Sequence, residues 1–129
     1  MKCKIRAKAR VNPTEELDKV IKSISNVFDY DELEIGDGYV VATGGEDSIL
    51  KFRESLKNRK IRDTAQRIFL KGVEDHKIHF SLSKQAALVS VPNFVDTGMS
   101  ALGEIDIEIE TDDVTGFIQW MTDKEEVDI

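Results

Sequence analysis

Residues 1–11 read MKCKIRAKARV, and this stretch decides the fold class because its side chains alternate almost without error. The odd positions carry small or apolar side chains, and every even position carries lysine or arginine. A two-residue period is typical of a β-strand whose two faces meet different surroundings. The sequence therefore predicts an N-terminal strand with one buried face and one wholly basic face.

A second alternating segment, IDIEIE at residues 105–110, carries the opposite charge. Its isoleucines fall on one face, and Asp106, Glu108 and Glu110 fall on the other. If this strand lies beside the first, acids and bases pair across the ladder and the basic stripe is largely neutralised. Otherwise the stripe is free to follow a phosphate backbone, because same-face residues on a strand recur every ~6.6 Å. We favour the neutralised arrangement.

The residues between these two strands predict both helices and further strands. Asn12-Pro13-Thr14-Glu15 has the pattern of a helix start, with Asn12 as the N-cap and Glu15 as a capping-box acid. Two short strands are predicted at 33–35 and 39–43, around a glycine turn. The remaining predicted elements are helices from 46 to 58, from 60 to 71 and after 111, a strand at 77–83, a turn at 84–87 and a partner strand at 88–91.

This order of elements predicts the fold class. Strands and helices are mixed and joined by short connections, which favours an α+β domain with an antiparallel-rich sheet and helices packed on one side. The chain has 129 residues, enough for one continuous core, so we expect a single domain over residues 1–129. The acidic tail at 123–129 is expected to fray.

The charge of the chain is unevenly distributed. With 18 basic and 25 acidic residues the net charge is −7, which is unfavourable for contact with phosphates. Residues 51–77, however, hold nine bases against four acids, whereas residues 78–129 hold two bases against eleven acids. An acidic protein with such a segregated basic segment retains a possible polyanion surface.

The residue types that catalysis and cofactor binding require are sparse. Cys3 is the one cysteine, and His76 and His79 fall on opposite faces of a predicted strand, where they cannot share a metal ion. The glycines lack the spacing of a dinucleotide or phosphate-binding loop. We expect a non-enzymatic protein without a cofactor or metal. The apolar runs are too short to cross a bilayer, and with no apolar signal core the expected location is the cytoplasm, away from membranes.

Several stretches together resemble one known family. They are NPTE at 12–15 after a basic strand, the helix from Leu56 to Leu70, SLSKQAA at 81–87, Asn93-Phe94, and LGEI at 102–105. In this order they resemble an archaeal family of uncharacterised short proteins, which are described as RNA-binding by prediction and are linked by prediction to the exosome. The resemblance covers nearly the whole chain.

The resemblance implies a fold and two contact residues. The implied fold is that of the ribosomal protein that binds five-S RNA, an antiparallel-rich sheet with helices packed against it. The implied RNA contacts are Lys84 and Gln85, at the predicted turn between strands, from which side chains reach outward. For Gln85, satisfying backbone groups within that turn is an equally good interpretation.

Two functional hypotheses follow. The first is an RNA-binding module that contacts phosphates through a basic helical surface, whose members are Lys57, Arg59, Lys60, Arg62 and Arg67. Base stacking should then be minor, because Tyr30, Tyr39 and Trp120 are the obvious stacking candidates. The second is an assembly subunit without direct RNA contact, which pairs with itself as a homodimer or with another RNA-processing or ribosomal protein.

Overall fold

The computed structural model describes residues 2–58, 60–96 and 103–122. Within these residues the chain forms a seven-stranded antiparallel sheet and five α-helices. The elements are β1 (Cys3–Arg10), α1 (Leu17–Ser25), β2 (Glu32–Gly36), β3 (Tyr39–Gly44), a 3-10 turn (Glu46–Ile49), α2 (Leu50–Asn58), α3 (Arg62–Lys71), β4 (Val73–Glu74), β5 (Lys77–Ser83), α4 (Lys84–Leu88), β6 (Phe94–Val95), β7 (Glu104–Thr111) and α5 (Val114–Met121). The predicted α+β class with an antiparallel sheet is confirmed.

The first strand lies in the middle of the sheet. The strand order is β2-β3-β1-β7-β5-β4, with β6 paired to β5, so β1 contacts β3 on one side and β7 on the other. A central strand needs an apolar face along its whole length, and the alternation in β1 supplies one. Ile5, Ala7 and Ala9 are buried, and they face Ile109, Ile107 and Ile105 of β7.

The core lies between this apolar face and the helices. Every α-helix contributes at least one buried side chain to the same hydrophobic cluster as the inward residues of the sheet, which puts the helices on one side. Phe52 of α2 sits near its centre, with ring centroids 4.9 Å from Phe28 and 5.7 Å from Phe80. The opposite face of the sheet, which we call the open face, carries the charged residues of β1 and β7.

Helix α1 begins later than the sequence predicts. Asn12 and Glu15 form one half of a capping box: the Asn12 backbone N–H donates to the Glu15 carboxylate at 2.9 Å, whereas the Glu15 N–H donates to the main-chain carbonyl of Asn12, also at 2.9 Å. These bonds close a separate turn, and the helix starts at Leu17 after an extended Glu16. The predicted N-cap at Asn12 is therefore wrong, although the predicted contact of the Glu15 carboxylate with the Asn12 N–H is present.

The segment after β5 also differs from its prediction. Residues 84–88 form helix α4 and not a turn, and residues 88–91 form no strand. The Ser83 hydroxyl accepts a hydrogen bond from the Ala86 N–H, and the Asn26 side-chain amide donates to the carbonyls of Ala87 and Leu88, so both ends of α4 are capped. The partner of β5 on this side is β6, with Leu82 opposite Phe94. The predicted fraying at 123–129 lies outside the described residues.

Candidate nucleic-acid interface

The basic stripe of β1 lies beside the acidic stripe of β7 on the open face. The register places Lys4 opposite Glu110, Arg6 opposite Glu108, and Lys8 opposite Asp106. Opposite charges that face each other across an antiparallel ladder attract and screen each other. The strand arrangement that we favoured from the sequence is present, although among the described residues no ion pair shorter than 4.0 Å joins a β1 cation to a β7 acid. The neighbouring acids nevertheless make the β1 cations a poorer surface for a polyanion.

The acidic stripe has a second set of basic neighbours on β5. Glu108 lies opposite His79, and its carboxylate is 3.4 Å from the Lys77 ammonium and 3.9 Å from the His79 ring nitrogen Nδ1. Tyr39, a predicted stacking candidate, packs at the other side of the face, with the Lys8 ammonium 5.0 Å from its ring centre. Across β5, β7 and β1 the open face is therefore basic, acidic and basic in turn, whereas β3 contributes the uncharged side chains of Tyr39, Val41 and Thr43.

A different set of cations lies at the end of α2, in the turn that follows it and along the whole of α3. We call this set the basic corner and define it as Lys57, Lys60, Arg62, Arg67 and Lys71. All except Arg62 are exposed, and Arg62 is half-buried. Within the described residues, no ion pair shorter than 4.0 Å involves Lys57, Lys60, Arg67 or Lys71. Four of the predicted contact residues thus lie on this segment of two helices and the turn between them, whereas Arg59 lies outside the described residues.

The turn between α2 and α3 explains how Lys60 is presented. The Lys60 N–H donates to the Lys57 carbonyl and the Ile61 N–H donates to the Leu56 carbonyl, both at 3.2 Å, which is the hydrogen-bond pattern of a Schellman helix end. Lys60 has a φ of 57°, the left-handed conformation in which glycine is usual. A lysine here costs about 1 kcal/mol relative to glycine, and it carries its ammonium at the corner between the helices.

Lys84 is buried, whereas the family resemblance implied that it reaches outward to contact RNA. Only 4 % of the residue is exposed, and its ammonium donates to the Arg10 carbonyl at 2.6 Å and to the Glu15 carboxylate at 2.9 Å. The outward-reaching turn expected for it is replaced by the first turn of α4, which points this side chain inward. Lys84 ties the end of β1 to the turn before α1, and it does not present its charge at the surface.

The ion pair with Lys84 changes the acidity of Glu15. Burial on its own raises the pKa of the Glu15 carboxyl, but the hydrogen bonds from the Asn12 N–H and the Lys84 ammonium outweigh burial. The pKa of Glu15 therefore lies below its usual value, and its charged form is stabilised. Gln85, the neighbouring predicted contact, is exposed beside this ion pair.

Trp120, another predicted stacking candidate, is occupied by an internal contact. Its ring lies 4.7 Å from the Arg53 guanidinium, and the Arg53 Nε–H donates to the Trp120 carbonyl at 2.8 Å.

Among the described residues, no cluster of three or more His, Cys, Asp and Glu side chains is placed to hold a metal ion. No helix in the same part of the chain is long and apolar enough to cross a membrane.

The structure has a groove beside α3 that the sequence analysis did not predict. It has a volume of about 270 Å³ and is lined by Ile61, Thr64 and Ile68 from the α3 side and by residues 91–94 from the segment that leads into β6. The sequence held one signal for it, the apolar run Val91-Pro92 before Asn93-Phe94, which follows the end of α4. The groove depends on two segments that are distant in sequence, so periodicity alone did not reveal it.

Comparison with known proteins agrees with the resemblance. A UPF0201 protein of Methanothermobacter thermautotrophicus is 40 % identical over 118 residues, which cover 92 % of this chain and 89 % of that protein. The chain belongs to the UPF0201 family. A family model described as RNA binding matches residues 4–111 of this UPF0201 protein, so the chain belongs to that family as well. The predicted membership in an archaeal family of uncharacterised proteins that are described as RNA-binding is confirmed.

Solved structures of UPF0201 proteins share the fold. The chain is similar to a crystal structure of an uncharacterised UPF0201 protein, with a TM-score of 0.84, 31 % identity and coverage of 97 % of each chain. It is also similar to the UPF0201 protein of Methanococcus jannaschii, with a TM-score of 0.75 and 28 % identity, over 97 % of this chain and 95 % of that one. The link to the exosome and the likeness to the five-S-RNA-binding ribosomal protein stay predictions.

Proposed function

We propose that this UPF0201 protein binds RNA without catalysis, through phosphate contacts at the basic corner. The observation that carries the proposal is the contrast between its two groups of surface cations. The β1 cations Lys4, Arg6 and Lys8 each face an acid across the ladder, whereas the four exposed cations of the basic corner lie on the end of one helix, in a turn and on a second helix. Among the described residues, neither group makes an ion pair shorter than 4.0 Å, so the contrast rests on the acids that lie beside the β1 cations. The family description, RNA binding, supports the same conclusion. A cytoplasmic location is part of the proposal.

The proposal requires binding that is strongly dependent on salt. Each phosphate that a cation neutralises on a single strand contributes roughly −0.7 to the slope of log K against log salt. Four or five such contacts at the basic corner give a slope of about −3, so affinity should fall roughly 60-fold between 50 and 200 mM salt. The acids on the rest of the surface repel RNA, and they should therefore orient the basic corner toward it.

The test is a binding measurement with a panel of single-stranded and structured RNA across a salt series. The test variant is Lys57→Glu/Lys60→Glu/Arg67→Glu, and the matched control is Lys2→Glu/Lys19→Glu/Lys22→Glu. The three lysines of the control are exposed: Lys2 lies just before β1, and the other two lie on α1. Both variants exchange three cations for glutamate, so their net charges are equal. We expect the corner variant to lose at least 100-fold in affinity and the control to lose much less. Equal losses would show a net-charge effect and contradict the assignment of the site.

The second hypothesis, an assembly subunit, has one supporting observation. The open face carries a basic stripe beside an acidic stripe, and a two-fold axis between two such faces would set each stripe against its opposite. A homodimer, or a complex with another RNA-processing or ribosomal protein, would use this face. Sedimentation equilibrium at low salt tests the homodimer directly, since a monomer at high micromolar concentration would contradict it.

A further inference from the structure

We infer that the groove beside α3 takes one unpaired nucleobase of single-stranded RNA, an inference that rests on the proposed function and specifies its substrate. The groove's volume of about 270 Å³ lies just below the roughly 300–1,000 Å³ of pockets that hold drug-sized ligands. A single flat ring system fits a space of this size. Its lining is mostly apolar, and Thr64 and Asn93 contribute polar groups to it.

Phe94 gives the groove an aromatic wall. The residue is partly buried, and its ring centroid lies 5.7 Å from Phe80, 5.9 Å from Phe69 and 6.1 Å from Phe52. These contacts, together with the pairing of Phe94 to Leu82 in the sheet, fix the ring. A fixed aromatic ring that borders a groove is a stacking platform for a base, and stacking of this kind tolerates any base because each has a π-face. Phe94 was not among the stacking candidates seen in the sequence.

Cations of the basic corner border the same groove. Residues three or four apart on a helix share a face, so Arg67 and Lys71 flank the groove-lining pair Thr64 and Ile68 on the outer side of α3. Lys60 immediately precedes Ile61, which lines the groove. A base in the groove would therefore place its flanking phosphates beside these ammonium and guanidinium groups.

The groove and the cations beside it together favour single-stranded RNA over a duplex. Bases in a helix are stacked and paired, whereas an unpaired base can leave the strand and enter a side groove. The larger hollow at the end of the open face, about 620 Å³, lacks this selectivity because Lys4 and Arg6 share it with Glu32, Glu108 and Glu110. Its mixed charges give a polyanion no preference for it.

The first experiment uses the full chain and three oligomers of equal length: a single-stranded RNA, the same strand with abasic sites along its centre, and an RNA duplex. We expect the abasic strand to bind about 10-fold more weakly than the intact strand, with the same salt slope, because it keeps its phosphates and loses the stacked base. A 2-aminopurine in the intact strand should lose fluorescence on binding as it stacks on Phe94. Equal affinities for the intact and abasic strands would overturn the inference while leaving phosphate binding in place.

The second experiment fills the groove. Thr64→Trp places a bulky side chain at the groove, and Thr43→Trp is the matched control on the open face of β3. We expect Thr64→Trp to reduce binding of the intact strand about 10-fold and to leave the abasic strand unaffected, whereas Thr43→Trp changes neither. A loss with Thr43→Trp alone would place the RNA on the open face and overturn the inference. If no oligomer binds the parent protein at low salt, the proposed function fails together with it.

Discussion

The β1 stripe and the basic corner have similar charge in the sequence and very different surroundings in the fold. On β1 the cations recur every second residue, and the neighbouring strand presents an acid opposite Lys4, Arg6 and Lys8. At the basic corner the cations occupy two helices and the turn between them, and in the part of the chain that the structure describes no strand is paired beside them. A run of lysine and arginine therefore says little about function until its partners are known, and those partners come from distant parts of the chain.

The largest expected effect concerns a third kind of cation, the buried one. Lys84→Met should lower the free energy of unfolding by roughly 3 kcal/mol, because it leaves the Glu15 carboxylate without its ammonium partner. RNA affinity of the folded variant should stay within about 2-fold of the parent, since Lys84 is an internal residue. Chemical denaturation followed by circular dichroism gives the first value, and binding in native buffer gives the second.

Lys84→Arg and Glu15→Gln/Lys84→Met are the controls for that variant. The first keeps a charge in the pair, and the second removes both charges, so each should recover part of the lost stability. If Lys84→Met remains folded and loses RNA affinity at least 10-fold, then Lys84 contacts RNA as the family resemblance implies. Our conclusion that Lys84 is an internal residue with a structural role would then be wrong.

The same ion pair predicts a dependence on pH. The pKa of Glu15 is lower in the folded protein than in the unfolded chain, so its contribution to stability is fully present above the unfolded value of about 4.3 and is lost as pH falls through the folded pKa. The Glu15→Gln variant lacks this titration. The difference in unfolding free energy between parent and variant should thus shrink as pH falls from 6 to 3. A difference that is constant over this range would contradict the ion pair.

A weaker effect is expected from a reversed charge within the β1 stripe. Arg6→Glu sets two acids opposite each other across the ladder with Glu108, which should cost about 1 kcal/mol of stability. Arg6→Glu/Glu108→Arg restores opposite charges and should recover most of that loss. RNA affinity should change far less than for any single reversal at the basic corner. A loss in affinity as large as that of Lys60→Glu would remove the distinction between the two regions.

Local patterns in the sequence carried most of the fold. The alternation in β1 and β7 and the helix predicted from 60 to 71 depend on neighbouring residues, and each of these elements formed where it was predicted. Helix α4 was missed because five residues are too few for a periodic signal, and its C-terminal end is capped by Asn26, about sixty residues away. A contact between residues so far apart in the sequence produces no pattern among the residues next to either of them.

The candidate site was predicted less completely for the same reason. The clustering of Lys57, Lys60, Arg62 and Arg67 follows from two adjacent helices and was visible in the sequence. The burial of Lys84 depends on Glu15, which is 69 residues away, and the groove depends on Phe94 meeting α3. Sequence reasoning located the charges and favoured acids beside the β1 stripe, whereas only the tertiary contacts showed that Lys84 is buried and paired with Glu15.

The smallest expected effect gives the sharpest separation of structure from function at the basic corner. Helices α2 and α4 both end with a non-glycine residue in the left-handed conformation: Lys60 with φ 57° and Ser90 with φ 64°. The Val91 N–H bonds to the Ala86 carbonyl just as the Ile61 N–H bonds to the Leu56 carbonyl, so the two turns are matched. Lys60→Gly and Ser90→Gly should each raise stability by up to about 1 kcal/mol, since glycine adopts this conformation without strain.

Their effects on RNA binding should nevertheless differ. Lys60→Gly removes one ammonium from the basic corner, so affinity should fall several-fold and the salt slope should become shallower by about 0.7. Ser90→Gly should leave both quantities unchanged. Thermal unfolding and a salt titration on the two variants measure all four values. A Lys60→Gly protein that is more stable and binds RNA as well as the parent would mean that this lysine makes no phosphate contact, and the site would then have to be sought elsewhere on α3.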